Sequence, residues 1–434
     1  MFYKTIQNVK FIGKFEQWKS NKMSKIRIKN FGPIKEGYQE NDGWLDIKKV
    51  TVFIGNQGSG KSTVAKLVST MTWIEKALVR GDFKEKDLTV YNRFVKHCSY
   101  QNIHNYFKDN TRIEYKGKAY SILYELGNVY VIKNKDNGYS FPKIMYVPSE
   151  RNFVSSVKNV RSLKGLPSTL YTFSDEFIDA IEDLKSHVDL PINNAKFEYQ
   201  KLNKLSWIIG EDYKIKLSEA SSGFQSFVPL FIVTNYLSHS LEKETDSTVK
   251  EISIEEGKRI RDEIERIYSN QNLSEEVKKA SLEYLSSRFK YSCFINIVEE
   301  PEQNLFPSSQ RHILNKLLEF VNMNKGNELL MTTHSPYIIN YLTLCVKAES
   351  VYKTLNEKKY KLSDPELSQT NEIVPMSSAV NANDLVIYEL DERDGSIKKL
   401  PDYKGLPSDE NKLNYNLEDS NELFAKLLEI QQGI

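Results

Sequence analysis

The residues best suited to chemistry lie between Val50 and Leu67, in the stretch VTVFIGNQGSGKSTVAKL. Val50 to Ile54 is an apolar, β-branched run of the kind that forms a buried strand. The run breaks at Gly55. Gly55, Gly58 and Gly60 permit a loop whose backbone can curl closely around phosphate oxygens. Lys61, Ser62 and Thr63 then open a helix, whose free N–H groups and positive end face the same anion. The spacing G-x-x-x-x-G-K-S/T predicts a phosphate-binding loop. In such a loop Lys61 reaches the β- and γ-phosphates of a nucleoside triphosphate, Ser62 holds Mg2+ and Thr63 assists at the α-phosphate.

Three other groups of residues bear on the same chemistry. Phe294 to Val298 is an apolar strand followed by Glu299-Glu300-Pro301-Glu302. Carboxylates at the end of a buried strand stand at the active edge of an α/β sheet. Glu299 is placed to hold Mg2+, directly or through water, and Glu300 to polarise an attacking water; a solvated acidic turn would have the same composition. His334 ends the apolar strand Glu328–Thr333, where an imidazole can contact a γ-phosphate and position water. Such a histidine taken alone is more often structural. Ser221-Ser222-Gly223 starts an apolar helix and offers a second anion site, separate from the first, although an ordinary helix cap looks the same.

These residues need strands and helices to position them, and the chain supplies both in alternation. Lys25 to Ile34 reads as a strand and a turn at Gly32-Pro33, Asp46–Ile54 as a second strand, and Ser62 to about Leu78 as an amphipathic helix. Thr111–Asn134 has strand composition with turns at Lys116-Gly117 and Gly127-Asn128, an antiparallel hairpin region. Lys143–Val147 is a strand leading to Pro148-Ser149-Glu150-Arg151. Residues 152–210 read as mixed and mainly helical, clearest over Phe173–His187, before a short strand at Asp212–Leu217. Ser221–Leu237 is a helix, and two charged amphipathic helices suggest a helical hairpin inserted at about 238–290. Beyond the helix Ser308–Val321, the chain offers a strand at Asp384–Leu390 and a last helix, with Asp419 and Glu422 spaced as a capping box.

Bulk properties narrow the classes. The 434 residues suffice for one large domain with insertions, or for two domains. Lys and Arg number 60 against 58 acids, so charge does not imply nucleic acid and leaves direct binding of it open. Cys98, Cys293 and Cys345 form no metal motif and fit a reducing, cytoplasmic compartment. No apolar run approaches the roughly 18–20 residues of a membrane span. The first 22 residues are basic and aromatic without a long apolar core, which argues against a signal peptide and makes Met23 a candidate start.

The order phosphate loop, Ser-Ser-Gly helix, Glu-Glu-Pro-Glu, Thr-His-Ser-Pro resembles the SMC-like and overcoming-lysogenization-defect branch of ABC ATPases over about residues 23–345. The resemblance implies an α/β, ABC-type P-loop NTPase with an antiparallel β subdomain, a helical-hairpin insert and a short C-terminal α+β tail. It divides the chain into an extension (1–22), an ATPase domain (23–350) and a tail (351–434) that serves as an assembly or partner surface. It implies ATP and Mg2+ as cofactors and sites shared between two subunits, with the phosphate loop of one facing the Ser221/Gly223 helix of the other. It carries family roles to Lys61, Ser62, Ser221, Gly223, Glu299, Glu300 and His334. The chain departs from the pattern in three places. The signature lacks the second Gly of Leu-Ser-Gly-Gly, with Ser222 standing there, Glu299 replaces the usual Asp, and no clear Gln-loop emerges, with Pro148–Arg151 near the expected place.

Wording such as NFGPIKEG, YVPSER, SSGFQS and VEEPEQNLFP is similar to bacterial antiphage-defence ATPases, the ATPase subunits of PARIS systems above all, with Septu and retron-associated ATPases next. That likeness implies a homo-oligomer, a dimer at least and a ring such as a hexamer in PARIS-like systems. It also implies a separate Toprim-type effector nuclease held by the ATPase and a phage protein as trigger. A nuclease within this chain is disfavoured, because Glu389, Asp391 and Asp394 lack a convincing metal layout. An SMC-type repair or chromosome-maintenance ATPase is the alternative, weakened by the lack of sustained heptads between the phosphate loop and Ser221. A transporter subunit is the third reading.

Overall fold

The computed structural model describes residues 23–134, 138–157, 160, 163, 165–243, 291–357 and 364–432. The Val50–Gly55 strand lies inside a seven-stranded sheet. The order across it is Gly37–Tyr38, Ser396–Lys399, Leu385–Leu390, Val50–Gly55, Glu328–Thr333, Cys293–Glu299, Pro142–Val147. The last five run parallel, in registers that include Leu385 with Val50, Leu329 with Val50, Ile295 with Glu328 and Cys293 with Pro142. Parallel strands are covered on both faces, which is why these segments read as nearly unbroken apolar runs.

The two faces belong to different cores. Val50, Val52 and Ile54 face a core shared with Phe173, Phe227, Leu317 and Leu342, from the helices Ser168–Asp183, Ser222–Lys243, Pro307–Met323 and Pro336–Glu357. Phe53 faces the opposite core with Val64, Leu67, Met71 and Ile74 of the helix Lys61–Arg80. The far side of that helix is covered by a five-stranded antiparallel sheet, ordered Leu45–Asp46, Lys25–Lys29, Arg112–Lys116, Tyr120–Glu125, Asn128–Lys133. Its Ile28, Ile113, Tyr115 and Ile122 enter the same core. The hairpin region expected at 111–134 is therefore present, with Gly127 at φ +75° in its second turn.

Several expectations change. The strand expected over Asp46–Ile54 is two: Leu45–Asp46 pairs with Lys25–Ile26 in the antiparallel sheet, and Val50–Gly55 belongs to the main one. Residues 152–210 are not mainly helical. After the Ser168–Asp183 helix the strands Val188–Asp189, Lys196–Gln200 and Leu205–Ile209 join Lys214–Lys216 in a four-stranded antiparallel sheet. The last helix spans Lys412–Gln432, so Asp419 lies within it; the cap is Asn411, whose Oδ1 accepts the N–H groups of Leu413 and Asn414, each at 3.1 Å. The strand expected at 384–390 lies next to the phosphate-loop strand, so the segment set apart as a tail contributes Leu385–Leu390 and Ser396–Lys399 to the main sheet. The expected helical hairpin falls almost entirely outside the described residues.

Candidate functional site

All five parallel strands deliver their carboxyl ends, and the loops that follow, to one edge of the sheet. This is where open α/β sheets place ligands. The edge collects the loop after Gly55, the segment Pro148–Arg151, the acidic turn after Glu299, His334 after Thr333, and Asp391-Glu392 after Leu390.

The phosphate loop is shaped by backbone demands that only glycine meets. Gly55 has φ +141°, and a Cβ there would lie 2.4 Å from the Leu390 carbonyl oxygen. Gly60 has φ +100°, and its Cβ would lie 2.6 Å from Ile34 Cδ1. Lys61, 5% exposed, donates from Nζ to the carbonyls of Gly55 and Asn56, both at 2.8 Å. Burial lowers its pKa to about 8 against the opposing pull of Glu300, Glu302, Glu299 and Glu392. Ser62 is exposed at the helix start and Thr63 is buried behind it. Ser59 Oγ is buried without a hydrogen-bond partner among the described residues, which suits a loop built to close on an acceptor.

On the neighbouring strands, Glu299 is buried, and its carboxylate accepts from the Tyr146 hydroxyl at 2.6 Å and the Ser149 N–H at 3.2 Å. Burial, reinforced by Glu299, pushes the Tyr146 phenol well up, so it remains a donor. Glu300 adopts φ +45°, a region that favours glycine and costs a glutamate backbone strain. Its carboxylate lies 3.5 Å from His334 Nε2, and hydrogen bonding to that histidine lowers its pKa, with Arg151 and Lys61 adding to the effect. His334 Nδ1 is 3.4 Å from Lys61 Nζ. An ammonium only donates, so Nδ1 is assigned as acceptor and Nε2–H faces Glu300. Lys61, His334 and Glu300 thus form one chain of contacts.

Two residues at this edge went unread in the sequence. Glu302, with burial raising its pKa, accepts the His334 N–H at 2.7 Å and so fixes where the imidazole starts. Arg151, fully buried, donates to the carbonyl oxygens of Glu299 and Glu300, each at 2.6 Å. Both stand in segments singled out in the sequence, but their roles were not legible there because their partners are backbone groups. The acids of the Leu390–Gly395 turn are engaged locally. Glu389 and Asp391 take the backbone N–H and ammonium of Lys412, Asp394 takes the Ser396 N–H, and Glu392 takes Asn56 Nδ2 of the phosphate loop at 2.9 Å.

Ser221 and Gly223 lie at the start of the helix Ser222–Lys243. Ser221 is exposed, and its carbonyl accepts the Gln225 N–H that begins the helix. Gly223 lies against Asn304, where a Cβ would come within 3.0 Å of the carbonyl oxygen. Their helix covers the sheet face opposite the Lys61–Arg80 helix.

The donor set fits the expected ligands. Free helix N–H groups, glycine backbone and a buried lysine suit a triphosphate. The Ser62 hydroxyl and the Glu299 carboxylate are both oxygen donors of the kind Mg2+ takes, an ion that keeps several waters and needs few protein ligands. Ser62 would hold it directly, and Glu299, already accepting two hydrogen bonds, through water.

A family model described as an AAA ATPase domain matches residues 281–339, a segment that contains the acidic strand and His334. No curated protein matches. Among solved structures, the SMC head domain from Thermotoga maritima is similar at 11% identity and TM-score 0.34, covering 88% of this chain and all (100%) of that one. An Smc head domain with an extended coiled coil from Pyrococcus furiosus, bound to the C-terminal domain of ScpA, gives 8% identity and TM-score 0.35 over 93% of this chain and 99% of that one. A dimeric ATP-binding cassette in a post-hydrolysis state, bound to ADP and Pi, gives 12% identity and TM-score 0.26 over 87% and 100%. At these scores the fold assignment, a mixed α/β P-loop fold, is carried by this chain's own sheet order and loops.

Proposed function

We propose that this chain binds and hydrolyses ATP with Mg2+ as an ABC-type ATPase, and that each complete site forms between two copies. The observation that carries the reading is the placement of the two anion-binding helix starts. The helices Lys61–Arg80 and Ser222–Lys243 pack on opposite faces of one sheet, which supports reading their two starts as halves of sites completed by another copy. A second copy supplies the missing half. In this reading Lys61, Ser62, Thr63 and the glycines of the loop hold the triphosphate, and Ser62 and Glu299 hold the metal. Glu300, ionised and strained into place, orients the attacking water, with His334 beside the γ-phosphate. Ser221 and Gly223 of the other copy close the site.

The biological role we propose is that of an oligomeric sensor and scaffold of an antiphage complex, acting through a separate nuclease. Its support is the similarity in wording to defence ATPases together with a site that needs assembly. Phosphate release and light scattering test the biochemical part: ATP should drive association, and Lys61→Ala should abolish both association and turnover. Phage plating on cells carrying the gene with its neighbours tests the role. Protection lost in Lys61→Ala supports it, unchanged plating refutes it, and ATP-stimulated DNA binding without protection would favour an SMC-type function instead.

A further inference from the structure

The helix that begins at Ser222 carries a proline in its second turn. Pro229 has no N–H, so the carbonyl of Gln225, four residues earlier, loses its partner within the helix. The structure supplies another from outside: Ser155 Oγ donates to the Gln225 oxygen at 2.7 Å. The next carbonyl, Ser226, accepts from Arg151 Nε at 3.0 Å. The first turn of this helix is therefore bonded sideways, to the Arg151–Ser155 segment.

Arg151 also reaches the other way. Its Nη1 donates to the Glu299 carbonyl and its Nη2 to the Glu300 carbonyl, the residue held at φ +45°. Burial lowers the guanidinium only to about 10, so it is charged at neutral pH. One planar fork thus ties the backbone of the acidic turn to the backbone of the Ser221 helix, a geometry that lysine's single ammonium does not reproduce. A lighter link runs in parallel, from Asn304 Nδ2 to Ser226 Oγ at 3.0 Å.

We propose that Arg151 is a positioning residue that couples the two half-sites of one chain. When a nucleotide on Lys61 shifts Glu300 and its turn, Arg151 carries the shift to the first turn of the Ser221 helix, whose Gln225 carbonyl Pro229 leaves without a partner inside the helix. The second ATP, held by the partner's phosphate loop, then meets a Ser221 end already set by the first. This rests on the two-copy ATPase reading above.

The test uses the full chain as wild type, Arg151→Lys and Pro229→Ala, with Mg2+ and a non-hydrolysable ATP analogue. Amide exchange is followed at 56–64 and at 223–228. In the wild type the analogue slows exchange in both segments. In Arg151→Lys, protection at 56–64 persists with affinity within about threefold, protection at 223–228 is lost, and ATP turnover falls about tenfold or more with loss of cooperativity. Pro229→Ala restores the helix N–H without removing packing charge, so it folds even if Arg151→Lys does not, and it weakens the response at 223–228. Protection at 56–64 alone in the wild type overturns the coupling and leaves the nucleotide site standing. Equal protection of 223–228 in the wild type and in every folded variant also overturns it. No protection at 56–64 overturns the nucleotide-site reading, and the coupling with it.

Discussion

The helix starts at Lys61 and Ser221 differ in how enclosed they are. At Lys61 the helix start is enclosed: the lysine is buried, its ammonium is shared between two carbonyls and His334, and carboxylates surround it. At Ser221 the helix start is open: Ser221 and Ser222 are exposed, and the turn behind them is held by Arg151, Ser155 and Asn304. The first is an enclosed cation at a sheet edge. The second is an exposed surface. On the proposed reading, the first region binds and the second closes.

The largest effect expected is at the enclosed end. Lys61→Ala removes the buried ammonium that the proposed reading puts on the phosphates, and turnover should fall by about a hundredfold or more with ATP binding lost, as read by equilibrium binding. Glu300→Gln should lower turnover by about a hundredfold while ATP stays bound and the assembled form accumulates, visible by light scattering. Undiminished phosphate release in that variant would remove Glu300 from its role. At the open end, Ser221→Glu places a carboxylate where a helix tolerates it but a phosphate does not. Turnover should drop about tenfold or more, and ATP binding to the Lys61 loop should be nearly unchanged.

Acidity gives a smaller, graded effect. The Lys61 pKa of about 8 lies below its ordinary 10.5, so the native chain binds fewer protons than the unfolded one between those values. Burial of the cation therefore costs stability below pH 8, and the cost fades as pH rises toward 10.5. Nucleotide binding runs the other way. Phosphate favours the protonated lysine, so affinity should be flat below pH 8 and fall above it by at most about tenfold per pH unit, with proton uptake detectable by calorimetry in two buffers. Smallest of all, Glu392→Gln removes a carboxylate that holds Asn56 beside the loop, and affinity for ATP should tighten about threefold.

The enclosed end was legible in the sequence because its chemistry is local. Glycine, lysine and serine at fixed spacing, after an apolar strand, leave few other structures. Strand ends at Glu299 and Thr333 were legible for the same reason. What joins the ends was not. Leu385–Leu390 pairs with Val50–Gly55 across more than three hundred residues, and nothing in a ten-residue window records such a pairing. Lys196–Gln200 and Leu205–Ile209 are short strands whose apolar residues also fit a helix face. Arg151 escaped because a charged residue after a strand normally signals solvent, whereas here its partners are carbonyls. Asp419 misled because an acid three residues before a glutamate occurs inside helices as well as at their starts.

The measurement that bears most directly on the shared site is complementation between the two ends. Lys61→Ala and Ser221→Glu chains, each with impaired turnover, are mixed and their phosphate release recorded. A mixed pair contains one site with an intact loop from one chain and an intact Ser221 helix from the other. The shared-site account predicts that the mixture regains turnover neither variant shows alone, rising to a maximum near equal proportions. A mixture whose rate is only the weighted average of its two components would contradict it.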